Sequence, residues 1–355
     1  MTAFAFAGDP DSLDPEFLWA LERALVAAGF CATSDTESAD LVLNLLDAEQ
    51  PKPFRRRSRG TFVAAVIELT SDPADPLRDT YPLLVRSLAN IVLCYVAGRG
   101  VWFTTMERGS YLVEGAEPDL LAAGLVDRLA PLARSHLVID NEFRPDLEPE
   151  LWDGDDCTHE IAYCGRRLDK LGLLPAPFPI EQILGERDLR HVKRLYGIGG
   201  LSYGNLSMRK DDRRFWMSAS GVDKSKLDEP GRDILLVSGY DDAHRRIVLS
   251  VPPGIEPRRV SVDAIEHWMI YRENPDVGAI LHVHAWIGGA SATDINFPCG
   301  TEELAASVAA LVASAPDPAH AVVGLRNHGI TATGETPNEI LTRLEPHLLR
   351  QVPMT

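Results

Sequence analysis

His282-Val283-His284 sets two imidazoles one residue apart in the apolar run Ala279-Ile-Leu-His-Val-His-Ala285, which reads as a buried strand ending at a polar site. Side chains at i and i+2 of a strand project from the same face, so the pair can hold one metal ion. A third ligand is offered by His328 in Asn327-His328-Gly329, after a second apolar run, Ala321-Val-Val-Gly-Leu325. Three histidine ligands with a fourth position open make a catalytic metal site rather than a structural one. Taken alone, a His-x-His pair fits two ordinary hydrogen-bonded histidines better than a ligand pair. The motifs around it decide.

Two strands and their loops must position these residues, and the rest of the chain supplies a mixed α/β frame. Residues 1–150 alternate strand and helix patterns. Strands are expected at 3–8, 39–46, 61–69 and 100–105, with helices at 15–29, 81–97 and 120–137. The domain reads as Rossmann-like or flavodoxin-like α/β, with no G-x-G-x-x-G after any strand and no function legible in it. The Arg55-Arg-Arg-Ser-Arg59 cluster reads as a solvated basic loop in preference to a phosphate or carboxylate contact. A boundary is expected near 141–156, a stretch rich in Asp, Glu and Pro, which divides the chain into domains 1–150 and 151–355. In the second domain, helices are expected at 157–173, 262–273, 302–313 and 337–348. Strands are expected at 215–219, 234–238, 247–251, 277–284 and 322–326. Pro175-Ala-Pro-Phe-Pro179 breaks the first of these helices, and Gly197-Ile-Gly-Gly-Leu-Ser-Tyr-Gly204 is a glycine-rich turn.

Composition narrows the class. The 355 residues suffice for two cores, and the formal net charge of −17 argues against nucleic acid or anionic membrane partners. The cysteines number five, with no C-x-x-C pair. Cys31, Cys94 and Cys164 sit among apolar or small residues and read as core thiols. The N-terminus lacks a basic n-region, and no apolar stretch reaches membrane-span length, so a cytoplasmic location is expected.

Five motifs then occur in the order found in the class II aldolase/adducin superfamily, which residues 155–350 resemble. They are Gly204-Asn-Leu-Ser207, Ser218-Ala-Ser-Gly-Val222, Ser261-Val-Asp263, His282-x-His284 after Tyr271 and Pro275-Asp276, and Asn327-His328-Gly329. The resemblance implies an α/β/α sandwich around a mainly antiparallel sheet. It implies a metal held by His282, His284 and His328, with Zn2+ expected and Mn2+ or Fe2+ as alternatives. Asn205, Ser220 and Gly221 match residues that surround the substrate phosphate in the family's sugar-phosphate enzymes, and Ser261 matches a further phosphate contact. Their glycine turns and a helix start suit an anion. As ordinary residues, Gly204 would be a turn and Ser261 an N-cap. Lys224 and Arg209 lie close in sequence and add charge if they face inward, though an exposed position suits both equally.

Departures from the family pattern limit the assignment. Val262 stands where a second Ser is usual, which points to weaker phosphate selectivity or a carboxylate ligand. Asp263 matches the family's acid/base position, a Glu in its aldolases and dehydratases and an Asp in its ribulose-phosphate 4-epimerases; the alternative is a helix cap. His267 is expected to support the site structurally. Thr301 matches a residue that the epimerases bring from a neighbouring subunit. The acid that follows in epimerases aligns with Ala305, and their C-terminal Tyr has no counterpart. Glu302 or Glu303 could replace that acid, but both fit solvated helix-start residues better. The expected function is therefore a metal-dependent lyase performing aldol cleavage or decarboxylation on a small hydroxylated carbonyl or carboxylate substrate through a metal-stabilised enediolate. A sugar-phosphate epimerase or dehydratase, or a non-catalytic adducin-like interaction module, are the alternatives. A homo-oligomer, most simply a tetramer, is implied.

Overall fold

The computed structural model describes residues 2–56, 60–105, 109–172, 182–190 and 204–355. They form two compact units, the first made of the described residues within 2–135, 182–190 and 354–355, the second of those within 136–172 and 204–353. The proline-rich 175–179 segment and the glycine-rich turn, except for Gly204, lie outside the described residues.

The first unit runs β1 (Ala3–Gly8), α1 (Pro15–Ala27), β2 (Cys31–Ala32), β3 (Leu41–Leu46), β4 (Phe62–Leu69), α2 (Pro76–Ser87), β5 (Ile91–Val96), β6 (Gly100–Thr105), β7 (Gly109–Glu114) and α3 (Pro118–Ala133). The sheet order is β2-β1-β3-β4-β5-β6-β7. The pairings from β2 to β5 are parallel; β6 and β7 join antiparallel. β3 and β5 are buried at every position, as suits unbroken apolar runs covered on both faces. The helix expected over 81–97 is wrong in its second half. α2 starts earlier, capped by Asp75 with Pro76 in its first turn, and ends where Leu88 turns left-handed at φ 55°. Ile91-Val-Leu-Cys-Tyr-Val96 then fills a central strand, where β-branched and aromatic residues pack best. Cys31 is exposed on the edge strand, not in the core. Arg56 of the basic cluster turns inward, donating to Asn90 Oδ1 and Leu88 O, each at 3.0 Å.

The second unit contains β8 (Asp140–Arg144), α4 (Asp156–Lys170), β9 (Gly204–Arg209), β10 (Phe215–Ser218), β11 (Ile234–Asp241), β12 (Arg246–Ser250), α5 (Ala264–Glu273), β13 (Ala279–Val283), β14 (Ser291–Ala292), α6 (Glu302–Ala313), β15 (Val322–Leu325), β16 (Gly329–Gly334) and α7 (Pro337–Leu344). Its sheet order is β14-β15-β16-β13-β9-β10-β11-β12-β8. Only the two outermost pairings, β14 with β15 and β12 with β8, are parallel. The polar stretch first read as a boundary thus supplies β8, whose Asp-Asn-Glu-Phe-Arg sequence suits a half-solvated edge. β16, absent from the expected strands, pairs with β13 along its length. Its Gly-Ile-Thr-Ala-Thr-Gly sequence carries a weak apolar signal, yet every residue is buried. β10, β13 and β16 are buried throughout, so the centre of the sheet is covered on both faces. α4 pairs with α7 and α5 with α6 to provide that cover.

Candidate metal centre

Sheet register brings the site together. On β13, His282 lies opposite Asn205 of β9 on one side and Thr331 of β16 on the other. These three buried polar residues form one rung of an otherwise apolar sheet. Two glycines let the neighbouring strands close on β13. A Cβ on Gly204, whose φ is 113°, would meet His282 O at 1.9 Å, and one on Gly329 would meet Val283 O at 2.3 Å. Asn327 takes the left-handed conformation at φ 58°, which Asn tolerates, and so turns the chain into His328.

The nearest ring nitrogens of His282, His284 and His328 all lie within 4.8 Å of one another. His284 Nε2 and His328 Nε2 stand 3.1 Å apart. Two nitrogens bound at ~2.0–2.1 Å to one tetrahedral ion would be separated by ~3.3 Å, so the His284–His328 pair already stands near the spacing of one divalent ion, and the wider separations in the cluster must close on binding. His282 Nδ1 faces Thr331 Oγ1 at 3.4 Å, and that hydroxyl donates to Glu266 Oε1 at 2.6 Å. The Thr331 lone pair is then free to accept the Nδ1–H of His282, which directs Nε2 toward the cluster, a usual arrangement behind a ligating imidazole.

Asp263 occupies the N-cap position of α5 but makes no capping bond. It is 6% exposed, accepts from Asn205 Nδ2 at 2.7 Å through Oδ2, and leaves Oδ1 without a hydrogen-bond partner. Glu266, one turn on, is 1% exposed, and its Oε2 is likewise unpartnered. Burial, reinforced by the charge of Asp263 and opposed by the Thr331 hydrogen bond, pushes the Glu266 carboxyl up to about 8. Two buried carboxyls with unused oxygens beside a histidine rung are what a cation site needs. His267 is fully buried, with Nδ1 at 2.7 Å from Ser207 Oγ. Burial, then the nearby His282, holds its pKa well below the ordinary imidazole value, so it remains neutral.

The remaining expected residues divide. Ser220 N donates to Arg259 O at 2.8 Å, and Ser261 N to Ser218 O at 3.4 Å, so the Ser218–Val222 loop is laced to the segment that enters α5. Gly221 adopts φ 65° at the exposed tip of that loop. Asn205 reaches the same helix start through Asp263. Thr301, by contrast, is fully buried as the N-cap of α6; its hydroxyl accepts from Leu304 N and donates to Pro298 O at 2.7 Å. Glu302 and Glu303 are held elsewhere, by Tyr240 and by His136. Arg209 spends its guanidinium on the Tyr271, Asn274 and Val277 carbonyls at the C-terminal end of α5, whereas Lys224 is fully buried. Sequence reasoning missed Glu266, Thr331 and Cys299, whose sulfur lies 3.4 Å from His328 Nε2. The i, i+3 spacing of Asp263 and Glu266 carried the first; nothing local carried the others.

Residues 190–295 match the family described as the Class II Aldolase and Adducin N-terminal domain. Among curated proteins, the chain is 38% identical over 82 residues to the methylthioribulose-1-phosphate dehydratase of Serratia proteamaculans, covering 23% of this chain and 34% of that protein. It is 33% identical over 102 residues to the enzyme of that name from Leptospira biflexa, covering 28% and 43%. The chain thus spans well under half the length of these relatives. An L-fuculose 1-phosphate aldolase structure aligns with 54% of this chain and 83% of its own, at 20% identity and a TM-score of 0.37. The segment that matches this family carries Asn205, Asp263, His282 and His284.

Proposed function

We propose that the protein is a metal-dependent lyase acting on a small hydroxylated carbonyl compound, with His282, His284 and His328 as metal ligands and Asp263 as the acid/base. The observation that carries this is the buried, uncapping Asp263 carboxylate beside a three-histidine cluster. A divalent ion bound there supplies Lewis acidity to the substrate carbonyl. Asp263 Oδ1, with no partner of its own, is the oxygen placed to take a proton from the carbon next to that carbonyl. Asn205 Nδ2 fixes the other carboxylate oxygen and so its orientation. Ser220, Gly221 and Ser261 provide the donors for an anionic end of the substrate. Thr301, its hydroxyl committed to capping, sets the start of α6 instead of entering the chemistry. We read the first unit, from its parallel β2-β1-β3-β4-β5 order, as a flavodoxin-like module that docks a partner or effector.

Removal of that proton is common to aldol chemistry and to elimination of water, and the names of the matched relatives favour elimination. The proton leaves carbon for Asp263, the electron pair forms the new double bond, and the β-hydroxyl departs as water by taking that proton back from Asp263. The test incubates the metal-loaded protein with methylthioribulose 1-phosphate and with a panel of ketose phosphates, followed by mass spectrometry. Loss of one water from an intact carbon chain is the expected outcome. Two carbon fragments would mean aldol cleavage, and an isomer of unchanged mass would mean epimerisation. No conversion of any substrate by metal-replete protein would overturn the enzymatic reading.

A further inference from the structure

A cavity of about 480 Å³ lies beside the last turn of α5, with Arg213, Phe215, Trp268, Tyr271 and Arg272 in its lining. A space of that size suits one small ligand. It is separate from the metal centre. Arg209 of its wall ends β9, whereas Asn205 of the histidine rung lies about 13 Å back along the same strand. The lining is also unlike the chain as a whole. It holds four arginines against one carboxylate, Asp212, in a protein of net charge −17. Positive charge gathered in one concavity of an acidic protein marks a place for an anion.

Two of the four arginines are already committed. Arg209 binds the carbonyls at the end of α5 and stacks over the Tyr271 ring, 4.6 Å from its centroid. Arg214 is paired with Asp211 at 2.7 Å and Glu148 at 2.6 Å. The other two, Arg213 and Arg272, are exposed, and among the described residues neither guanidinium makes an ion pair or a hydrogen bond. The apolar part of the lining is aromatic. Buried Phe215 and Tyr271 meet with ring centroids 4.8 Å apart, and half-buried Trp268 joins them in the wall. Aromatic faces stack on a flat ring, and an uncommitted guanidinium presents a planar fork to an oxyanion. We infer that this cavity is a second ligand site, which binds a small aromatic anion: a flat ring carrying a carboxylate or a phosphate. The aromatic wall takes the ring, and Arg213 and Arg272 take the charged group. The inference is independent of the reaction proposed for the metal centre.

The experiment titrates the full-length, metal-loaded protein calorimetrically with adenosine 5′-monophosphate and with indole-3-carboxylate. Adenosine serves as a ring without charge, and inorganic sulfate as charge without a ring. One of the two aromatic anions is expected to bind about tenfold or more tighter than both controls, and which one it is tells a phosphate-bearing ligand from a carboxylate-bearing one. The double variant Arg213→Gln, Arg272→Gln alters exposed, unpaired side chains and should melt with wild type. It should weaken the preferred ligand about tenfold or more, and Trp268→Leu should weaken it about threefold or more. Failure of both aromatic anions to exceed the controls overturns the site. Unchanged affinity in the folded arginine variant overturns it as well, by placing the ligand elsewhere. A lower molecular mass of that variant in light scattering, with ligand affinity unchanged, would make the cavity a contact between copies of the chain instead.

Discussion

At the scale of single residues, burial turns polar groups into reporters. His284 is one of three imidazoles whose nitrogens converge, so His284→Ala should bind a divalent ion far more weakly. Elemental analysis checks this, and wild-type metal content in the variant would remove the cluster as a metal site. Asp263→Asn keeps size and the Asn205 contact within reach but removes the base. Turnover should fall about 10²–10⁴-fold with fold and metal intact; near-normal turnover would leave Asp263 without a chemical role. Glu266 gives a pH signature. Its carboxyl is raised from 4.5 to about 8 in the folded chain, so between those values the folded state holds a proton that the unfolded state has released. Stability of the metal-free protein should therefore fall as pH rises through that window and level off above it. Glu266→Gln should abolish this component in denaturation curves measured from pH 5 to pH 9, and parallel curves for the two proteins would refute it.

Strands and helices matter here through register. β13 carries two histidines, but His282 works only because β9 and β16 place Asn205 and Thr331 beside it. Gly204 permits that approach. Gly204→Ala must fit a Cβ 1.9 Å from His282 O at φ 113°. It should destabilise the protein by at least about 1–3 kcal/mol and reduce metal binding with it. A urea midpoint and metal content equal to those of wild type would show that β9 can move without consequence. α5 is the second positioning element. Its N-cap Asp263 and its buried residues Glu266, His267 and Tyr271 carry the polar network to the sheet.

Across the whole molecule, both units have their own sheets, and the histidine cluster lies within the second. We expect the protein to assemble as a tetramer, since the superfamily resemblance implies sites completed between subunits. Light scattering on the active protein checks this, and an active monomer would refute it.

The His-x-His pair and the third histidine were legible as a possible ligand set from residue type and spacing, because strand alternation is a local property, whereas Asp263 was singled out only through the family resemblance. The mainly antiparallel second sheet was legible through the resemblance alone. Elements went wrong where long-range pairing overrode local pattern: Ile91–Val96 continued a helical periodicity but was drawn into a central strand, and Gly329–Gly334 lacked apolar contrast but was buried by β13 and β15. Tertiary structure alone decided which polar groups became desolvated. Spacing could not tell buried Lys224 from Arg209, which is tied to helix carbonyls, nor bring Thr331 and Glu266 behind His282. Those outcomes depend on which strands lie side by side and what covers them, and that is set by packing of segments distant in the chain.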